Sequence, residues 1–233
     1  MQDILSGFAQ AARLLVSGDA QVWSIVALSL FVSGISTVIG CAIGIPVGAA
    51  VGLRRFAGRR LAITTLNVGM ALPPVVVGLL VYLFLSRRGP LGFLALLFTP
   101  SAMVIAQTIL AAPLVAALTV AAIAGVDPAV RLTALSLGAT DRQAARRVLA
   151  EARFALAAAV VAGFGAVISE VGAVMIVGGN IAGHTRVMTT AIMLETSKGD
   201  FALAIALGII LLLVAFAVNL GLSYLQQGRE ASP

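Results

Sequence analysis

The sequence predicts an all-α membrane protein with about five transmembrane helices. Of its 233 residues, 61% are hydrophobic and only 10% are charged, whereas soluble domains carry about a quarter charged residues. The apolar stretches are long runs rich in Ala, Val, Leu, Ile and Gly, which favours helices over the short alternating segments of a β-barrel. The net charge of +6 is typical of arginines that flank membrane spans, so no nucleic-acid partner is predicted.

Five apolar runs approach or exceed the roughly 20 residues that a helix needs to cross a bilayer. They cover residues 22–52, 61–85, 101–124, 154–177 and 202–222. Pro73-Pro74 should bend or break the second run, and Thr99-Pro100 should open the third. The run 91–98 is too short to span. These runs predict five spans with one proline-induced break.

Residues 1–20 differ from the spans because apolar residues recur there at helical spacing with polar residues between them. This pattern predicts an amphipathic helix at the membrane interface. The segment lacks the basic start, apolar core and small-residue cleavage site of a signal peptide. We therefore expect an N-terminal amphipathic helix over 1–20 and a transmembrane domain over 21–233.

The arginines predict the orientation of the spans. One cluster follows the first span, and a second lies in the polar segment 125–153 between the third and fourth spans. The positive-inside rule places both in the cytoplasm and the N-terminus outside. Arg87-Arg88 falls outside and counts against this topology, but the two clusters placed in the cytoplasm contain more arginines.

Four glycines of the first span, Gly40, Gly44, Gly48 and Gly52, recur every fourth residue. One face of this helix therefore has no side chains, and a neighbouring helix can approach it closely. The pattern predicts tight packing within the bundle. The alternative is a contact between subunits or one that moves.

The polar segment 125–153 is predicted to form a helical hairpin. Asp127-Pro128 has the residues of a helix start, and Gly138 suits the left-handed residue that ends this helix after Leu137. Thr140 with Gln143 fits a capping box that begins a second helix. The first helix is expected to expose Val130, Leu132, Ala134 and Leu135. This apolar surface indicates either docking of a partner or contact with lipid headgroups.

The stretch "RLTALSLGATDRQAARRVLAE" resembles the cytoplasmic loop of permease subunits in binding-protein-dependent ABC importers. That family's pattern has a Glu-Ala-Ala run, three intervening residues, a glycine, nine further residues, and an Ile-x-Leu-Pro end. Gly138 aligns with the glycine, Ala134 with the second alanine and Val148 with the isoleucine. The chain departs from the pattern at Leu132, Thr133 and Ala150-Glu151.

Two further stretches, "LLFTPSAMVIAQTILAAPLV" and "ISEVGAVMIVGGNIAGHTRVMTTAIMLETSKGDF", resemble the oxyanion branch of these permeases, and tungstate permeases in particular. Molybdate and sulfate permeases are the alternatives. The resemblance covers roughly residues 28–219. It implies a type I importer permease fold in a bacterial or archaeal inner membrane.

The resemblance also implies partners. These are a second copy of the chain, an ATPase subunit on each hairpin, and an external protein that binds the anion. No GxxxxGK[ST] phosphate loop occurs in the sequence, so ATP and Mg²⁺ belong to the ATPase and no cofactor is expected on this chain. The residues expected to couple the chain to the ATPase are Arg131, Ala134, Leu135, Gly138, Ala139, Thr140 and Asp141.

A dianion that has lost its water needs hydrogen-bond donors, yet the spans contain almost no basic residues. The candidates for the substrate path are Thr64, Thr65, Asn67, Gln107 and Thr108. For Asn67 and Gln107 the alternative is a hydrogen bond between helices. A gating or structural role is expected for Glu170, Gly172 and Asn180, with Glu170 bonded to backbone groups or to hydroxyls such as that of Ser169.

The segment after Asn180 is expected outside, with a short helix over 185–197. Arg186 and Lys198 could attract either the anion or acidic patches on the binding protein. The single histidine, His184, has no clustered cysteine or carboxylate, so no metal site is predicted. A secondary transporter, a membrane enzyme and a scaffold that only docks a partner are the rival classes. Secondary transporters often contain two matching helix breaks, whereas this sequence shows only one, at Pro73-Pro74.

Overall fold

The computed structural model describes residue 13 and residues 19–227, with side chains through residue 221. The interfacial helix expected over 1–20 lies almost wholly outside the described residues. Within them, every regular element is a helix, and the helices have the following bounds: α1 Ala20–Leu53, α2 Arg59–Met70, α3 Pro74–Leu85, a 3₁₀ turn Gly92–Leu94, α4 Pro100–Ala124, α5 Pro128–Ser136, α6 Asp141–Glu151, α7 Arg153–Ile168, α8 Gly172–Gly178, α9 Met188–Lys198 and α10 Phe201–Gln227.

Among the described residues, three helices, α1, α4 and α10, are long and apolar enough to cross a membrane alone. Two bent pairs bring the count to as many as five: α2 with α3, bent by 91°, and α6 with α7, bent by 64°. The all-α class and the break at Pro73-Pro74 are confirmed. Pro74 occupies the first turn of α3, where its missing N–H costs no hydrogen bond.

The prediction of one continuous fourth span over 154–177 was wrong. Helix α7 ends at Ile168, and α8 runs only from Gly172 to Gly178. The chain therefore has a second helix break within an apolar stretch, and the sequence showed no proline to mark it. This second break is not predicted from the sequence.

The glycine face of α1 packs against α4. A Cβ atom on Gly44 would lie 2.6 Å from the carbonyl oxygen of Ala112, and one on Gly48 would lie 2.5 Å from that of Ala116. Such contacts are shorter than atoms tolerate, so the two backbones are close only because these positions have no side chain. The predicted packing within the bundle is confirmed.

Two apolar cores hold the remaining helices together. One lies between α3, α4 and α8, around Val81, Met103 and Val174. The other lies between α1, α7, α9 and α10, around Val26 and Ile210. Because α8 contributes to the first core and α7 to the second, the break between α7 and α8 lies where the two cores meet.

Candidate coupling and gating sites

The hairpin has the local structure that its residues predict. The carboxylate of Asp127 accepts a hydrogen bond from the N–H of Ala129 at 2.8 Å, and Gly138 is left-handed with φ +86°. The N–H of Thr140 donates to the side-chain oxygen of Gln143 at 2.8 Å, and the N–H of Gln143 donates back to the Thr140 hydroxyl at 3.4 Å. This reciprocal pair is the predicted capping box. Helix α5 ends at Ser136, one residue before the expected end.

An ion pair that the sequence did not reveal joins the two hairpin helices. Arg131 on α5 donates to the carboxylate of Asp141 on α6 at 2.7 Å. Both side chains are exposed, so the pair contributes at most about 1 kcal/mol to stability. Its main effect is to orient α5 relative to α6.

The apolar surface of the hairpin is smaller and differently placed than expected. Leu132 is 63% exposed, but Val130, Ala134 and Leu135 are half-buried, so the expectation that all four are exposed was wrong for three of them. The most exposed apolar side chain here is Leu137, at 82%. Leu137 is not among the four residues that the sequence predicts to be exposed, and it follows Ser136, the last residue of α5. Ala139 is half-buried, while Gly138, Thr140 and Asp141 are exposed.

The break between α7 and α8 is held by the carboxylate of Glu170, which is only 8% exposed. Its two oxygens accept hydrogen bonds from the N–H groups of Ala173, at 2.9 Å, and Val174, at 3.1 Å. These are free N–H groups in the first turn of α8, where negative charge is favoured. The Ser169 hydroxyl, which we had named as a bonding partner, donates instead to the carbonyl of Gly165 at 2.6 Å.

Two other helices supply further bonds to this break. The side-chain amide of Gln107 on α4 is 3% exposed and donates to the carbonyl of Val167 at 2.8 Å. The Thr189 hydroxyl on α9 donates to the carbonyl of Glu170 at 2.9 Å. Non-helical backbone at membrane depth needs such partners. Gln107 thus makes the helix-to-helix hydrogen bond that was the alternative to substrate contact.

The oxygens of two expected path residues are buried. Within the part of the chain that the structure describes, the side-chain oxygen of Gln107 and the hydroxyl of Thr108 have no hydrogen-bond partner. The other three candidates lie on α2, none of whose residues is buried. Thr64, Thr65 and Asn67 are exposed there, and the two hydroxyls donate to carbonyls of their own helix at 3.0 Å.

The two helix breaks lie side by side. A Cβ on Gly172, at the start of α8, would lie 2.8 Å from Val75, and one on Gly78 would lie 2.6 Å from the Cα of Ala173. The first turns of α3 and α8 are therefore in close contact. Gly172 allows this approach because it has no side chain.

The segment 180–198 has more internal contacts than its sequence suggests. Asn180 is left-handed with φ 51°, and Arg186 donates to its side-chain oxygen at 3.3 Å. Lys198 pairs with Glu195 at 2.9 Å, so both cations that we expected to attract anions already have partners. Helix α9 begins at Met188, three residues after the expected start. The exposed His184 lies in the turn that precedes it.

Replacing Glu170 with alanine should lower the free energy of unfolding by about 2–4 kcal/mol, because two buried N–H groups lose their acceptor. Glu170→Gln keeps one acceptor oxygen and should lose about half as much. Thermal or denaturant unfolding of the purified protein in one fixed detergent measures both effects. Glu151→Gln is the control, since this exposed carboxylate makes only a long contact with Arg147 at 3.7 Å. Equal stability of the Glu170→Ala and Glu151→Gln variants would contradict the capping role.

Comparison with known proteins agrees with this architecture. The chain is 46% identical over 227 residues to the tungstate uptake system permease protein TupB of Peptoclostridium acidaminophilum, covering 97% of this chain and all of that protein. It is 45% identical over 201 residues to a probable anion ABC transporter permease protein of Haloferax volcanii, covering 84% and 87% of the two chains. The fold is similar to that of a chain in a bacterial alginate ABC transporter bound to its periplasmic protein, with a TM-score of 0.78, 20% identity, and coverage of 100% and 88%.

The model of the family described as "binding-protein-dependent transport system inner membrane component" matches residues 44–230. This range includes the hairpin, both helix breaks and the segment 180–198. The chain therefore belongs to the inner membrane components of binding-protein-dependent transport systems, and it is a multi-pass permease subunit of an ABC importer.

Proposed function

We propose that this permease translocates a tetrahedral oxyanion, tungstate, driven by ATP hydrolysis in a separate subunit. The observation that carries the proposal is the 46% identity to a tungstate uptake permease along that protein's full length. Molybdate and sulfate, which have the same shape and charge, are the alternative substrates. The chain itself binds no nucleotide in this proposal, so ATP and Mg²⁺ act only in the partner.

The working unit is a homodimer with one ATPase subunit on each hairpin and an external anion-binding protein. The exposed Leu132 and Leu137 support docking of the ATPase, because apolar side chains surrounded by basic residues on a polar hairpin suit a protein contact. The other residues proposed to contact the ATPase subunit are Arg131, Ala134, Leu135, Gly138, Ala139, Thr140 and Asp141. The hairpin and the N-terminal half of α2 then lie in the cytoplasm, as the positive-inside rule predicts.

The connections of the hairpin support mechanical coupling. Only residues 125–127 separate α5 from α4, and only Ala152 separates α6 from α7. A displacement of the docked hairpin therefore reaches the break at residues 169–171 through α7. The ATPase can drive the switch between inward-facing and outward-facing states if its ATP-bound and free forms prefer different states. Glu170, Gly172 and Asn180 hold the backbone that must shift.

We infer that Thr64, Thr65 and Asn67 line the anion path. They are exposed on α2, which can form part of a span only together with α3. An unpaired amide within a span costs energy unless it faces water or another protein. Hydroxyls and an amide can donate to a passing dianion without holding it tightly. Gln107 and Thr108 lie on α4 and their side-chain oxygens are buried, so we give them a supporting role rather than contact with the anion.

Competitive uptake tests the substrate. Vesicles that contain permease, ATPase and binding protein should take up radiolabelled tungstate, and a tenfold excess of unlabelled tungstate should suppress uptake more than the same excess of molybdate or sulfate. Vesicles without the ATPase are the control and should show no uptake. Equal competition by sulfate would contradict the tungstate assignment. Uptake without the ATPase would instead identify a secondary transporter.

A further inference from the structure

An open cleft of about 1060 Å³ lies between the C-terminal end of α1 and the hairpin. Five arginines contribute to its lining, against the single acid Asp141: Arg54, Arg55, Arg59, Arg131 and Arg142. This concentration of positive charge is unrelated to the helix breaks and the polar face of α2. It also does not depend on which anion is transported.

Two of the five arginines already have partners. Arg59 donates from Nε to the carbonyl of Val51 at 2.9 Å and so caps the end of α1, and Arg131 pairs with Asp141. Arg54, Arg55 and Arg142 do not take part in any ion pair within the described part of the chain. Arg54, Arg55 and Arg142 are exposed, so their guanidinium groups are free to bind an anion.

One wall of the cleft is apolar and belongs to the membrane-spanning helix α1. Pro46 and Ala50 line it and are exposed, and Ile39 and Ile43 continue the exposed surface along α1 toward the middle of the span. From Ile39 to Ala50 a helix rises about 16 Å, close to half of the roughly 30 Å hydrocarbon core. The apolar wall therefore has the length of one leaflet.

We propose that this cleft binds an anionic phospholipid of the inner leaflet. The phosphate contacts Arg54, Arg55 and Arg142, and an acyl chain lies along the exposed face of α1. Arginine forms paired hydrogen bonds with phosphate oxygens, and basic pockets on the cytoplasmic side of spans suit anionic headgroups. A soluble phosphate would use only the arginines, whereas the lipid uses both walls.

The proposed lipid has a structural consequence. Its headgroup touches the loop after α1 through Arg54 and Arg55, and touches α6 through Arg142. The lipid therefore joins the end of the first span to the hairpin. The anionic lipid content of the inner leaflet would then influence how freely the hairpin moves.

A tryptophan placed at the cleft tests the proposal on the full-length chain. In a Trp23→Phe background, Ala50→Trp puts the only tryptophan beside the cleft, and Leu212→Trp puts it on an exposed face of α10 as a matched control. Phospholipids with brominated acyl chains quench a tryptophan that they touch. At position 50, anionic lipid should give the same quenching as zwitterionic lipid at a concentration at least about fivefold lower. This factor corresponds to the contribution of one basic residue near an anionic membrane surface. At position 212 the two lipids should quench equally.

Removing the charges tests the arginines. The triple variant Arg54→Gln, Arg55→Gln, Arg142→Gln should lose the preference at position 50, whereas Arg87→Gln with Arg88→Gln, at the opposite end of the protein, should keep it. If the triple variant does not fold, the three single variants should each reduce the preference. Equal quenching by both lipids in the parent protein would overturn the proposal. Loss of the preference on adding inorganic phosphate would do so as well, by assigning the cleft to that occupant. The quenching is measured without the ATPase subunit, because Arg131, Leu132 and Asp141, which belong to the proposed docking surface, also line the cleft.

Discussion

Replacing Gly48 with alanine should destabilise the folded permease by about 1–3 kcal/mol, the usual effect of overpacking. The added Cβ would lie 2.5 Å from the carbonyl oxygen of Ala116 and 2.6 Å from the Cβ of Thr119. The first of these atoms is backbone, so no side-chain rotation relieves the contact. Helices α1 and α4 must move apart, and the close packing that joins them is lost along several turns. Denaturant unfolding in a fixed detergent measures the change.

Gly34 provides a control in the same helix, because a Cβ there would meet nothing within 4 Å. Alanine is a better helix former than glycine by about 1 kcal/mol, so Gly34→Ala should leave stability unchanged or raise it slightly. The two substitutions are chemically identical, but only Gly48→Ala should destabilise the protein. If both change the unfolding midpoint by the same amount, the close contact between α1 and α4 does not limit stability.

Replacing Leu137 with aspartate should abolish coupling to the ATPase while leaving the permease folded. The side chain is 82% exposed, so the protomer loses few contacts when it changes. In the proposed complex, the new carboxylate would enter an apolar contact, and a central residue of this kind contributes about 2 kcal/mol or more to binding. We expect at least about a thirtyfold weaker association with the ATPase subunit, together with loss of binding-protein-stimulated hydrolysis in proteoliposomes.

Comparison with other variants separates docking from folding. Leu135→Asp should weaken both docking and folding, because Leu135 is half-buried. Gly138→Pro should disrupt the turn, because proline cannot adopt φ +86°. Phe93→Asp is the matched control, since this side chain is 80% exposed at the opposite end of the protein. Unchanged ATPase affinity in Leu137→Asp would mean that this residue lies outside the docking surface.

The features that could be predicted from the sequence depend on neighbouring residues or on composition. Apolar runs locate the spans because a bilayer requires about 20 apolar residues in a helix. Asp127-Pro128, Gly138 and the Thr140–Gln143 pair specify the hairpin, since caps and left-handed turns act over only a few residues. The glycines of α1 indicate a close neighbour, although they do not say that the neighbour is α4.

Only the tertiary structure decided the features that depend on residues distant in sequence. The break after Ile168 is stable because Gln107, Thr189 and the carboxylate of Glu170 supply bonds that the interrupted helix lacks. Likewise, the arginines near residues 55 and 140 form one cleft only after α1 and the hairpin pack together. The local sequence determines which backbone groups form hydrogen bonds within a helix. Backbone groups that are left unpaired at a helix break need partners from other parts of the chain, and tertiary packing determines which residues those partners are.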